Sequence, residues 1–171
     1  MNKHTTDVSA RDVRPSQEDP DIGVKHLDEI ATGLAEVLGD TYLLIVKTHA
    51  AHWNVSGPLF YSVHNLTEEQ YENMFAAADE LAERMRALGR LAPTTISTLS
   101  DHSEVSELSE RPSAEEMIGQ LAASHESLSR RLRRLIKVAE AGEDPVTEDL
   151  ATVRAAFHDK AAWMLRAMIA S

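Results

Sequence analysis

The chain is 171 residues long, with 17 Lys and Arg against 28 Asp and Glu and a formal net charge of −11. That length gives one domain with room for a proper core, and the charge argues against a globally attractive surface for nucleic acid while suiting the concentration of cations. The absence of cysteine excludes disulfides and thiolate metal sites; no apolar run reaches the length of a membrane span and no apolar leader core opens the chain, so a cytoplasmic location without a membrane partner is expected.

Residues 1–22 are polar, hold Pro15 and Pro20, and carry Lys3, Arg11 and Arg14 against Asp7, Asp12, Glu18, Asp19 and Asp21. They read as a flexible tail of net negative sign, preceding a bundle domain over 23–171. A first helix is expected from Val24 to Asn54, its buried face marked by Leu27, Ile30, Ala31, Leu34, Val37, Leu38, Leu44 and Ile45. His49 and His52 are neighbours at i,i+3, but only His52 lies at the following turn, so His49 is taken as structural or exposed. Trp53 either packs beside a metal site or staples the turn. Gly57-Pro58 breaks the chain, and a second helix runs from Leu59 to Leu88 with Phe60, Val63, Tyr71, Met74, Ala78, Leu81 and Met85 on one stripe, closed by Gly89.

The stretch from Arg90 to Pro112 is irregular, with Thr95–Ser100 and Glu104–Glu110 as places for a short helix, and His102 is read as exposed. So long a connection lets the third long helix run parallel to the second. Ser113 and Glu116 form a capping box, and that helix continues to Ala141 on a stripe of Met117, Leu121, Leu128, Leu132, Leu135 and Ile136. Arg130, Arg131, Arg133 and Arg134 read as solvated charges near its C-terminus, where the dipole favours cations. His125 has no carboxylate partner that makes a site. Gly142 ends this helix, and Asp144-Pro145 opens a fourth as N-cap and first helical residue, with Val146, Leu150, Val153, Phe157, Trp163, Met164 and Ile169 along it. Glu143, Asp144, Glu148 and Asp149 load its first turns with negative charge; dipole complementarity accounts for that, and copies meeting about a three-fold axis would ring a cation path with the same acids. The expected fold is an all-α four-helix bundle with a short extra helix in its long middle connection.

The second helix carries a further stripe. At about 100° per residue, Glu68, Asp79, Glu72 and Glu83 all fall within roughly 100° of His64. Such a face is either a solvated surface or a metal site; two i,i+4 pairs, His64/Glu68 and Asp79/Glu83, with His52 at the adjoining turn, raise the second reading. Imidazole and oxygen donors without thiolate suit iron, manganese or zinc. His64 and Asp79 are about 22 Å apart along a straight helix, while metal–ligand bonds are on the order of 2 Å, so the two pairs cannot share an ion within one chain. Two copies of the helix, antiparallel about a two-fold axis near Asn73 and Met74, would set His64 and Glu68 of one against Asp79 and Glu83 of the other.

The run Lys47-Thr48-His49-Ala50-Ala51-His52-Trp53-Asn54, then Gly57-Pro58-x-Phe60, His64, Glu68, Asp79, Ala82-Glu83-Arg84 and Leu88-Gly89, resembles the Dps family, the mini-ferritins or DNA-binding proteins from starved cells. Asp159-Lys160-x-x-Trp163 is similar to that family's last helix, and the likeness extends over residues 24–170 in helix order and loop lengths. The resemblance implies a ferritin-like bundle assembled from two-fold dimers into a hollow homo-dodecamer. It implies a di-iron ferroxidase centre, with His52, His64 and Glu68 from one subunit and Asp79 and Glu83 from its partner, and Trp53 beside it. Iron(II) would be oxidised there, usually by hydrogen peroxide, and stored as iron(III) mineral, protecting DNA from oxidative damage. Asp144 and Asp149 fall where the family's acidic three-fold pore begins. Members that bind DNA directly often carry a lysine-rich arm, whereas the tail here is net acidic. A DNA-compacting protein with little ferroxidase activity is the alternative, and a plain helical interaction module a third.

Overall fold

The helix ends follow from local chemistry. His26 takes a left-handed backbone (φ 55°), so the first helix, α1, starts at Leu27 rather than Val24 and runs to Asn54. Gly57, at φ 86°, turns the chain into α2, Phe60–Ala87. The Thr95 hydroxyl caps a short α3, Ile96–His102. Both halves of the capping box open α4, Ala114–Ala141: Ser113 Oγ accepts from Glu116 N at 3.2 Å, and Glu116 Oε2 accepts from Ser113 N at 2.7 Å. Asp144 caps α5, Pro145–Met168, with Pro145 at its first position. This computed structural model describes residues 13–15 and 18–170, and among them there is no strand, only an isolated antiparallel bridge between Pro15 and Arg90.

The helices α1 and α2 form one antiparallel hairpin and α4 and α5 a second, joined mainly through α1 and α4. Lys47 Nζ donates to Ser124 Oγ, and Arg131 Nη1 to Asp40 Oδ2, so α1 and α4 are antiparallel and α4 runs parallel to α2. Ile30, Leu34, Leu38 and Leu44 of α1 meet Met74, Leu81 and Met85 of α2 and Ile118, Leu121, Leu128 and Leu132 of α4 in one core, with Ala151, Ala155 and Leu165 from α5. Each large side chain so enclosed contributes about 1.5–3 kcal/mol. The architecture is the expected four-helix bundle with an extra helix in the long connection.

Three local readings are corrected. Residues 104–110 form no helix, because their amides are held from elsewhere: Glu104 N donates to Asp40 Oδ1 and Ser109 N to Gln120 Oε1. His102 is buried at the end of α3. Arg131 is no solvated charge: it is 5% exposed and bonds Asp40 at 2.8 Å, the His102 carbonyl at 2.9 Å and Glu104 at 2.9 Å, pinning α3 and its connection to α1 and α4.

Of the expected tail, residues 1–12, 16 and 17 lie outside the described residues. Where described, it meets the end of α2: Leu91 N donates to the Arg14 carbonyl, and buried Arg90 bonds Asp19 and Asp28, each at 2.5 Å. Among the described residues no helix is long and apolar enough to cross a membrane.

Candidate metal centre

The turn at Gly57-Pro58 folds the end of α1 against the start of α2 and brings His52 onto His64. Their rings stack with centroids 3.7 Å apart and planes 18° apart. Each reaches the other's backbone: His52 Nδ1 lies 2.9 Å from the His64 carbonyl, and His64 Nδ1 lies 3.0 Å from the His52 carbonyl. A carbonyl only accepts, so each Nδ1 carries a hydrogen, and in the neutral ring Nε2 is then the nitrogen with the lone pair. Outer hydrogen bonds of this kind orient histidine ligands toward a metal. Thr67 Oγ1, which donates to the Val63 carbonyl, stands 3.2 Å from His52 Nδ1 and backs the pair.

Aromatic groups surround the two rings. Phe60 stacks on His64 at 5.1 Å, and Tyr71 meets His52 edge-on at 5.3 Å. His49 lies between Tyr71, at 4.0 Å, and Trp53, at 5.2 Å, so it joins the cluster by packing. Burial, and then His52, lower the His49 pKa. The Tyr71 hydroxyl donates to Glu68 Oε1 at 3.5 Å, the longest of these hydrogen bonds, and Glu68 is exposed. Burial, with Glu68 and Glu72, raises the Tyr71 pKa.

Asp79 and Glu83 are not part of this group. They lie on the same flank of α2, which is unbroken from Phe60 to Ala87, so no bend brings them to His64. Both are exposed, and among the described residues neither makes a hydrogen bond or ion pair. Among the described residues no cluster of three or more His, Asp or Glu able to hold a metal forms inside one chain. Trp53, Tyr61 and Phe75 stand 70%, 77% and 62% exposed near these groups, an uncovered apolar surface beside ligand-type side chains.

Asp144 proves to be structural. Its side chain is wholly buried and accepts from Arg84 Nη2 at 2.6 Å and from Thr147 N at 3.0 Å. Burial pushes its carboxyl up, but the bonds from Arg84 and Thr147 outweigh that and hold it below the usual carboxylate range. A carboxylate committed in this way is not open to a passing cation. Asp149, one turn on, is exposed.

A second histidine pair went unassigned in the sequence. His125 of α4 and His158 of α5 are both buried, with Nδ1 atoms 2.8 Å apart. The signal was present: His125 falls in the run 121, 125, 128, 132 and His158 in 151, 155, 158, 162, 165, both core spacings.

The bundle and its short middle helix define a ferritin-like protein, and the chain matches the ferritin-like domain over residues 31–171. It is 36% identical over 161 residues to an uncharacterized low temperature-induced protein of Nostoc, covering 88% of this chain and 87% of that one. It is 31% identical to DNA protection during starvation protein 2 of Bacillus anthracis, covering 80% of this chain and 93% of that one. The crystal structure of Dps from Staphylococcus aureus superimposes with a TM-score of 0.82 at 30% identity, covering 86% of this chain and 99% of that one. Within the ferritin-like class, the chain belongs to the Dps family.

Proposed function

We propose that the protein oxidises iron(II) at a centre shared between two copies, with hydrogen peroxide as oxidant, and stores the iron(III) as mineral in a hollow shell of twelve, so protecting DNA. The carrying observation is the reciprocal bonding of His52 and His64, which leaves two neighbouring Nε2 lone pairs for a metal. Glu68, one turn beyond His64 and bonded by Tyr71, is the carboxylate this reading takes from the same chain. The unpartnered carboxylates of Asp79 and Glu83 complete the donor set from a partner's α2, and the exposed Tyr61 and Phe75 give that contact an apolar component. Neutral imidazole and carboxylate are donors that iron accepts, and so sparse a set leaves coordination positions for the oxidant.

Peroxide takes two electrons, one from each of two iron(II) ions, and with two protons becomes two waters. The histidines bind and orient; the carboxylates offset the charge that rises as iron(II) becomes iron(III). The large negative charge of the chain favours cation delivery. Trp53, stacked on His49, is placed to give up an electron when only one iron is present. Asp149 is the remaining acid for a cation path. The DNA-compacting alternative has less support, since the residues of the tail sum to negative charge.

Replacing both His52 and His64 by Ala is expected to lower peroxide-driven iron(II) oxidation, followed by mineral absorbance, by about a hundredfold or more, in line with loss of two ligands. The assembly should persist by gel filtration. Wild-type oxidation rates in that variant would defeat the proposal.

A further inference from the structure

The buried face of α5 differs from those of the other long helices. Ala151, Ala155, Ala161 and Ala162 fill most of it, Leu165 is its only fully buried large apolar side chain, and Arg154 and His158 are ionisable. The facing helix, α4, buries Ile118, Leu121, Leu128, Leu132 and Leu135. Along its length α5 packs on α4 and only sparsely on α2. Its polar ties to α2 are Arg84 with Asp144 and Thr147 at its start, and Arg154 with Asn73 at its middle. A helix that buries so little apolar surface, mostly against one neighbour, is the one to open locally before the rest.

His125 and His158 meet near the midpoints of α4 and α5, in the middle of that packing. They are 0% and 1% exposed, and Phe157 lies edge-on to both. With the Nδ1 atoms 2.8 Å apart, one donates and the other accepts, so the contact holds a single hydrogen. An added proton must go first to an Nε2, and that of His125 is buried without a partner. A second can go only to the accepting Nδ1, which sets two N–H groups against each other and forces the rings apart.

Nothing nearby offsets the new charge. Burial first, and the neighbouring positive charge after it, press both rings toward the neutral form, and among the described residues no carboxylate acts on either. On α5, Arg154 adds to the repulsion, and Asp159 is held by Ser129 and Arg133. The buried polar groups of α2, Thr67 and Gln70, are uncharged, and its Glu80 acts on Arg154. On α1, Lys47 bonds Ser124, Asp40 bonds Arg131 and His52 bonds the His64 carbonyl.

We propose that the His125–His158 contact is an acid-sensitive latch: proton uptake by the two rings releases α5 from α4 while α1 and α2 stay folded. In the open state both rings meet water and take protons near pH 6.5, which the closed contact refuses, so opening grows as pH falls below that value. The candidate iron ligands all lie on α1 and α2, so the latch stands independently of them.

The test is hydrogen exchange by mass spectrometry on the full-length, iron-free protein at about pH 7 and about pH 5, with rates normalised to the intrinsic rate at each pH. Protection over residues 145–168 should fall by about twentyfold if one histidine gains its proton on opening and by several hundredfold if both do. Peptides from α1 and α2 should keep theirs. Asp144→Asn, which weakens the tie to Arg84, should lower α5 protection at both pH values and leave the pH response in place. In the double variant His125→Leu, His158→Leu the response should disappear. Should that variant fail to fold, His158→Asn, which removes one titrating ring, should halve the logarithm of the response. Equal α5 protection at the two pH values in the wild type would overturn the proposal. So would an equal loss in α1 and α2, or an undiminished response in the folded histidine variants.

Discussion

At the scale of single residues, the two histidine pairs have opposite chemistry. His52 and His64 turn Nδ1 to each other's carbonyl and leave Nε2 outward, as ligands would. His125 and His158 turn Nδ1 to each other inside the core, where one proton is shared between two acceptors. Burial, and then Arg154, push His125 down to about 3. Burial, His125 and Arg154 hold His158 well below the ordinary value. The unfolded chain binds a proton at each histidine near pH 6.5, the folded chain only in much stronger acid. Stability is therefore undiminished above about pH 6.5 and falls as pH drops below it, for His125 on down to about 3. Thermal unfolding followed from pH 7 to pH 4 should show this loss. The double variant His125→Leu, His158→Leu should flatten it, and an unchanged acid limb in that variant would remove these residues as its source. The first pair was legible in the sequence because a turn joins it; the second joins residues 33 apart, and only its core spacing hinted at it.

At the scale of elements, local signals placed all four long helices. The capping box at Ser113, Asp144-Pro145, and the breaks at Gly57 and Gly89 set boundaries within three residues of those observed. What escaped was long-range. Nothing near His102 or Glu104 in sequence announces that Asp40 and Arg131 will hold that connection, and nothing near Arg90 announces Asp19 and Asp28. Asp144 was legible as a cap, yet its partner Arg84 lies 60 residues away, and that bond commits the carboxylate to the fold. The approach of α3 to α1 is equally tertiary. A Cβ on Gly39 would meet the Leu99 carbonyl oxygen at 2.5 Å and His102 Cβ at 3.1 Å. Gly39→Ala should therefore cost about 1–3 kcal/mol as α3 is forced outward, read as a lower urea midpoint. A midpoint equal to the wild type would mean that α3 is held too loosely to resist.

For the whole molecule, the separation of ligands along α2 is the governing fact. The helix is straight enough in hydrogen bonding, from Phe60 to Ala87, that His64 and Asp79 serve different ends of it. One chain offers histidines at one end and uncommitted carboxylates at the other, and the proposed head-to-tail pair would join them into two sets. The bundle itself was readable from apolar periodicity, since each long helix buries one stripe. The proposed sharing rests on a distance along α2 that one chain cannot close.

The most direct measurement of that sharing mixes two inactive proteins. One carries His52→Ala with His64→Ala, the other Asp79→Ala with Glu83→Ala; they are unfolded together, refolded and assayed for peroxide-driven iron(II) oxidation. In a mixed dimer one site loses every ligand replaced, while the other takes intact histidines from one chain and intact carboxylates from its partner. Random pairing should restore about a quarter of the wild-type sites. Activity no greater than that of the two separate variants, in mixed assemblies verified by mass spectrometry, would contradict a centre built across two copies.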